Sequence, residues 1–586
     1  MSTGLYSGYP GLSGTSGLAY TAGLWGGAPG FADGAYGPAF IFGSTLAYWY
    51  DDQDLTTMFA DYVGTPATVG SAVALQLDKS ARGVLGSDIK GTGTPALTGA
   101  ATAATYDTVT GVGTANRPDA SNYSWIDFTG DTVGRPYFVD IENTGAANLS
   151  VRDNLTTIYQ VTAGQRKKVF VPALVTGLRI YPDTNGTSIS FTVHSVKEVL
   201  GTPRYQTTAA QRPILGRHPK GGRRNLLIHT EDISNAAWTK TDTTITANAI
   251  AAPDGTITAD LLTEGSAGTA QIGQSAPTSA GVVHSFSIYL KRGNTDWLRV
   301  QAVNGSDFYR LWVNVNTGAI GASGAGGVGV LSATSITALP DGWYRVTLTG
   351  TIPAVNTSVF VNTASANNSG TRVTGGTYYL WGTQLESGSV ETAYQAVTTQ
   401  YDCTETGVPD CYYLQADGSD DGMVTPALDL SATDKIGVFT AVRKLAETTA
   451  VIVEQTTSAD AVAGGWNITN IVGSTNYRVA SRGTTTTVTT LVPGSHPAPD
   501  TSILAGLGDI SAPSLIGRAN GVASSPVTTS QGGGNYANAA LYFFRRGGSS
   551  LPFNGLEYGS FACVGLPSAD QIAAADAYQN NIVGAY

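Results

Sequence analysis

The sequence predicts an all-β chain of several antiparallel β-sandwiches or jelly rolls with one short C-terminal helix. Three observations carry that prediction. First, apolar and polar residues alternate with period two in many short runs. Phe286, Ile288 and Leu290 oppose Ser287, Tyr289 and Lys291; Leu298, Val300 and Ala302 oppose Trp297, Arg299 and Gln301; Tyr344, Val346 and Leu348 oppose Trp343, Arg345 and Thr347. Successive Cβ atoms of a strand project to opposite faces, so this is the pattern of half-buried antiparallel strands. Second, turns rich in Gly, Asn and Pro separate these runs, as sandwiches and jelly rolls require. Third, only 13% of residues are charged while 73 are glycine, which argues against long helices or a coiled coil.

Length and charge narrow the class further. A chain of 586 residues exceeds what one core organises, so three or four domains are expected. A net charge of −11 speaks against nucleic-acid binding, which needs a basic surface to displace counterions. Three cysteines, Cys403, Cys411 and Cys563, are too few for a disulfide framework; Cys403 and Cys411 are close enough in sequence to bridge, and nothing in the sequence decides it. No basic-then-apolar leader and no run near the ~18 apolar residues of a membrane span is read. The expectation is a protein made in a cytoplasm, without signal peptide or membrane insertion.

Taken in order, residues 1–44 hold twelve glycines interleaved with Tyr6, Tyr9, Tyr20, Trp25, Phe31, Tyr36 and Phe40. Glycine at this density disfavours a helix. The segment is either a flexible leader or an anchor ordered by a partner protein, and its aromatic density favours the anchor. Strand-like runs at 124–128, 136–141, 149–151, 168–171, 177–181 and 189–194 mark 91–199 as a small β-sandwich. The run 216–224 holds five cationic side chains and reads as a solvated linker, with an anion-contacting patch as the alternative. Further strands are expected at 437–443, 451–454, 476–482, 487–492, 502–507, 514–518, 541–545 and 557–564. An Asn520-Gly521 pair suits a type I′ hairpin turn. Ser568 and Gln571 form a capping box for the final helix, with Gly584 beyond its end.

Several stretches resemble known modules. The runs RNLLIHTEDISNAAWTK (224–240), DGWYR (341–345) and YYLWGTQLESG (378–388) resemble carbohydrate-binding-type sandwiches of tailed-phage virion proteins. The runs at 46–59 and 73–80 resemble the first strands of laminin-G/concanavalin-like sandwiches, continued at 205–215, 412–421 and 545–555. The resemblance implies one discontinuous concanavalin-like sandwich, 45–90 plus 200–224 plus 401–586. Two modules, 91–199 and 225–400, are inserted into it, and residues 1–44 attach it to other virion proteins.

No catalytic constellation is read from the residues. Glycosidases need two carboxylates flanking the bond, and no acidic alternation on one strand face supplies them. Asp417, Asp420 and Asp421 form the densest acidic group and are expected to build a turn. The five histidines are scattered without metal-ligand spacing, and no Gly-x-Ser-x-Gly or phosphate-loop motif occurs. Neither enzyme activity, metal nor cofactor is expected. Tyr289, Trp297, Arg299, Arg310 and Trp312 fall opposite the aliphatic positions of their strands. They form a candidate carbohydrate-binding face, with packing on a neighbouring module or subunit as the alternative. Trp238, Trp343 and Trp381 are read as packing residues.

The expected role is a virion fibre or appendage on the phage tail or capsid exterior, binding bacterial surface polysaccharide. The resemblance also implies a homotrimer. A decoration protein with a structural, display role is the alternative, and a polysaccharide depolymerase is a third.

Overall fold

The alternating runs become strands of six antiparallel-dominated sheets that face one another in three pairs. The computed structural model describes residues 37–81, 85–99, 102–153, 156–172, 177–266 and 268–586. Tyr6, Tyr9, Tyr20, Trp25, Phe31 and Tyr36, the expected attachment residues, lie outside them. No helix among the described residues is long and apolar enough to cross a membrane.

The largest sandwich draws its strands from distant parts of the chain. Its ten-stranded sheet runs Gln395–Thr399, Asp402–Glu405, Ile214–Pro219, Asp410–Asp417, Asn554–Val564, Lys435–Lys444, Asp500–Asp509, Ser514–Ala519 and Val522–Ala523, and Leu46–Tyr50 pairs with Asn554–Val564. The nine-stranded sheet opposite begins Met58–Phe59, Leu75–Gln76, Arg204–Tyr205, Met423–Asp429 and Asn538–Phe543, then continues through strands between 450 and 491. Tyr48, Tyr50, Leu215, Leu414, Val453 and Phe543 meet in one core between the sheets. Closing such long loops is affordable because closure entropy grows only logarithmically with length.

The two remaining sandwiches are built from continuous stretches. Strands between 85 and 199 form a five- and a six-stranded sheet around Val139, Ile141, Val151, Ile180 and Phe191. Strands between 239 and 387 form two six-stranded sheets around Ile288, Leu298, Val300, Leu311, Val346 and Val361. Two strands cross the expected boundaries: Leu85–Asp88 pairs within the small sandwich, and Gln395–Thr399 joins the edge of the large one.

Local signals act where the sequence places them. Asn520 and Gly521 both take positive φ, 49° and 79°, and turn the chain between Ser514–Ala519 and Val522–Ala523. The helix Ala569–Val583 has the Ser568/Gln571 capping box and a left-handed Gly584. It covers the outer face of the ten-stranded sheet through Ala575 and Val583. One expectation is corrected here. Inside the glycine-rich 1–44 segment, Pro38–Phe42 forms a helical turn, with Pro at the start where its missing N–H costs nothing. Phe42 is buried between Phe439 and Phe561, at 5.7 and 5.8 Å, and Gln571 donates to the Ile41 carbonyl.

The basic run is neither a solvated linker nor an anion patch. Arg217 bridges Asp402 (2.6 Å) and Asp410 (2.9 Å), carboxylates on the strands either side of its own. Arg224 pairs with Glu405, and Arg223 donates to the carbonyls of Asn225 and Leu227. His218 is buried against Tyr558. These cations staple the crossing into the 225–400 module.

All three cysteines are unpaired and buried. Cys403 and Cys411 are near in sequence, but the strand Ile214–Pro219 lies between theirs. Burial pushes the Cys403 and Cys563 thiols up to about 12. A thiolate is the reactive form. The folded chain should therefore give no reaction with a thiol-titrating disulfide reagent at pH 8, and three equivalents after denaturation.

Candidate functional site

Four of the five predicted residues share one face. The sheet Thr239–Thr241, Gln271–Ala276, Thr357–Ala364, Trp297–Asn304, Asp307–Asn314, Ala319–Gly326 turns Leu298, Val300, Leu311 and Val361 into the core. Period two then fixes the outer face. Arg299 stands between Asn362 and Trp312 on the flanking strands, and Gln301 between Phe360 and Arg310. Three strands thus lay out two adjacent rows of side chains, aromatic and polar interleaved.

Contacts fix these groups. The Arg310 guanidinium lies over the rings of Phe308 (4.4 Å) and Trp312 (4.8 Å). Arg299 Nη2 donates to Asn362 Oδ1 at 3.2 Å. Trp312 is only 3% exposed; its Nε1–H donates to the Ser369 carbonyl at 2.8 Å, so the 365–372 loop folds over it. The same loop brings Arg372 to the face, where its guanidinium donates to the carbonyls of Ala270 and Gly370. Trp297 is half-buried and rests over Gly321, where an added Cβ would sit 2.5 Å from its ring. Phe308 rests over Gly326 in the same way. Glycines in the edge strand therefore let these rings lie flat on the sheet.

Tyr289 does not belong to this face. Its strand, Val283–Arg292, is in the other sheet of the sandwich. Tyr289 is 9% exposed and packs edge-on against Trp381 (5.1 Å) and Tyr394 (5.9 Å). Alternation tells which side of a strand a residue occupies, but not which sheet receives the strand. Trp238, Trp343 and Trp381 are buried as packing residues. Sequence reasoning missed Phe308, Phe360, Asn362 and Arg372. The alternation of Val359 and Val361 with Phe360 and Asn362 was a usable signal; Arg372, in a loop, had none.

The structure does bring two carboxylates together, from residues 505 apart in sequence: Asp52 and Glu557. Both are 0% exposed, and the equally buried Arg204 lies between them, donating to Asp52 Oδ1 (2.8 Å) and to Glu557. Gln76 donates to Asp52 as well, and Arg204 Nε donates to Gln76. No substrate bond fits between carboxylates sealed on a guanidinium.

Two further groupings resemble sites. Asp417, Asp420 and Asp421 hold oxygens within 4.8 Å of one another. Asp417 Oδ1 accepts the N–H groups of Ser419 and Asp420, and Asp421 Oδ2 accepts that of Asp417. The Asp417 and Asp421 carboxylates thus brace the turn. Burial, then the charges of Asp417 and Asp420, push Asp421 up to about 7. Ser502, His496 and Asp500 also meet, but both Ser502 Oγ and the Asp500 carboxylate lie at His496 Nδ1, while Nε2 faces the Pro493 carbonyl. A nucleophile–base relay needs the serine and the carboxylate on different ring nitrogens.

A cavity of about 260 Å³ opens beside the end of the C-terminal helix, lined by His218, Asp500, Thr501, Tyr558 and Gly584. His218 uses both nitrogens internally, towards the Pro219 carbonyl and Tyr558.

No family model and no curated protein matches the sequence. Among solved structures, similarity is found to domains LG4-5 of the mouse laminin alpha1 chain (10% identity, 48% of this chain and 83% of that one, TM-score 0.20). It is also found to the CBM22-1-CBM22-2 tandem domain of Paenibacillus barcinonensis Xyn10C (12%, 52% and 98%, TM-score 0.22). A third is the receptor binding domain of botulinum neurotoxin mosaic serotype C/D (9% identity, TM-score 0.23), of which the chain spans 42% while 28% of this chain is covered. At these TM-scores the likenesses carry no argument; the all-β sandwich fold stands on the sheets themselves.

Proposed function

We propose that the chain is a tailed-phage virion adhesin, a fibre or appendage that binds bacterial surface polysaccharide through the outer face that carries Trp297, Arg299 and Arg310, with Trp312 buried under the 365–372 loop as their support. The observation that carries it is the arrangement on that sheet: flat aromatic rings interleaved with guanidinium and amide groups, on rigid paired strands. Aromatic faces cover the C–H surface of a sugar, while Arg, Asn and Gln side chains meet its hydroxyls. The phage origin rests on the sequence resemblance of 224–240, 341–345 and 378–388. Attachment through residues 1–44 and a homotrimeric state belong to the same reading, and three copies would raise avidity without new contacts. The proposed role is recognition without a reaction.

The test is binding of the purified chain to a panel of bacterial capsular polysaccharides and lipopolysaccharides. The intact chain should bind at least one member, and Trp297→Ala should weaken that binding about tenfold, roughly 1.4 kcal/mol, at unchanged melting temperature. Equal binding by Trp297→Ala, or shortening of the polysaccharide on incubation, would overturn the reading.

A further inference from the structure

The chain carries 43 acidic against 32 basic residues; some arginines, Arg223 among them, hold backbone carbonyls, but many meet a carboxylate. Arg217, Arg224, Arg478, Arg518 and Arg546 each do. Among the described residues, Arg299, Arg310 and Arg372 meet none. Their polar contacts among the described residues are an amide oxygen and two backbone carbonyls, and Arg310 is held by rings alone. The Nε–H groups of Arg299 and Arg310 are buried with no acceptor. One carboxylate is near, that of Glu264, but it is buried and accepts both the N–H and the hydroxyl of Thr363. Burial, followed by the like charges of Arg372 and Arg310, lowers Arg299 to about 10. Among the described residues, three guanidiniums therefore share one face against a single, already engaged carboxylate.

We propose that this cluster is a subsite for an anionic substituent on one sugar of a bound glycan, a carboxylate or a sulfate or phosphate ester, with Phe308, opposite Val303, beside it and Trp297, opposite Asn314 at the other end of the face, meeting a different sugar of the same glycan; the inference rests on the reading of this face as the glycan-binding surface. A guanidinium is planar and presents parallel N–H donors that match the oxygens of such a group, and a charge-assisted pair is about twice as strong as a neutral hydrogen bond. Stacking over Phe308 and Trp312 fixes the plane of Arg310 before a ligand arrives, so little rotamer entropy is lost on binding. Nucleic acid is the weaker occupant: three cations on a chain of net charge −11 displace few counterions.

The test uses the full chain and four immobilised probes: polygalacturonate, the same polymer with its carboxyls reduced to alcohols, dextran sulfate, and a 20-nucleotide oligothymidylate. At least one acidic polysaccharide should bind tenfold or more tighter than the reduced polymer, and which one separates carboxylate from ester recognition. Arg310→Gln and, independently of the ring stack, Arg372→Gln should each remove most of that preference while the melting temperature stays constant. Equal binding of the acidic and reduced polymers, with Trp297→Ala weakening both, would overturn the anion subsite and leave the glycan-binding reading standing. Binding to none of the acidic probes would overturn the subsite alone, since the envelope panel tests the wider reading separately. Preference for oligothymidylate would overturn both.

Discussion

Arg204→Met should destabilise the large sandwich by about 3–5 kcal/mol, because removing one partner of a buried ion cluster leaves uncompensated charge in a dry interior. Arg204 is fully buried, stacks over Tyr50 (4.8 Å) and Phe543 (4.9 Å), and binds Asp52, Gln76 and Glu557. Its partners come from the first, first and last segments of the sandwich, so the loss falls on the node where the interrupted chain rejoins itself. Methionine conserves apolar volume and isolates the charge effect. The two carboxylates share one guanidinium, and burial raises both; Asp52 goes up to about 8, with Arg204 opposing and Glu557 adding to the rise. A carboxyl raised on folding keeps a proton that the unfolded chain releases. Its contribution is therefore full below about pH 4 and is lost as pH rises towards 8. Asp52→Asn should be tolerated, and denaturant melts at pH 5, 6.5 and 8 should fall less steeply for it than for the native chain. An equally steep fall in the variant would mean that Asp52 is ionised in the fold.

Trp343→Ala should cost the 225–400 sandwich about 3–5 kcal/mol, the usual range for removing a buried large aromatic. The indole is 2% exposed, packs with Tyr289 and Trp381, and donates to the Ala251 carbonyl at 3.2 Å. The site has little means of collapse, because its neighbours are themselves on hydrogen-bonded strands. In calorimetry, Arg204→Met and Trp343→Ala should lower different transitions, one for each sandwich. A single transition lowered by either substitution would show instead that insert and host unfold as one unit.

Much of the fold was legible because alternation is a local property. The runs at 437–443, 502–507 and 557–564 lie inside Lys435–Lys444, Asp500–Asp509 and Asn554–Val564. The hairpin at Asn520-Gly521 and the helix caps were equally local. What escaped was decided by partners distant in sequence. Ala319–Gly326 is a strand with almost no apolar alternation; its glycines answer to Trp297 and Phe308 above them. Arg204 sits in a two-residue strand and shows its importance only beside Asp52 and Glu557. The basic run at 216–224 looked solvated because Asp402, Asp410 and Glu405, which neutralise it, follow some 180 residues later. Of the site, strand phase gave the side of the sheet for Trp297, Arg299, Arg310 and Trp312. For Tyr289 it could not give the sheet.

Hydroxyl-radical footprinting of the intact chain, free and saturated with whichever polysaccharide it binds, reads aromatic side chains directly. Protection should concentrate at Trp297 and Phe308, with the residues lining the His218 cavity unchanged. Protection at that cavity, or anywhere else with Trp297 and Phe308 still fully reactive, would contradict the assignment of this face to glycan recognition.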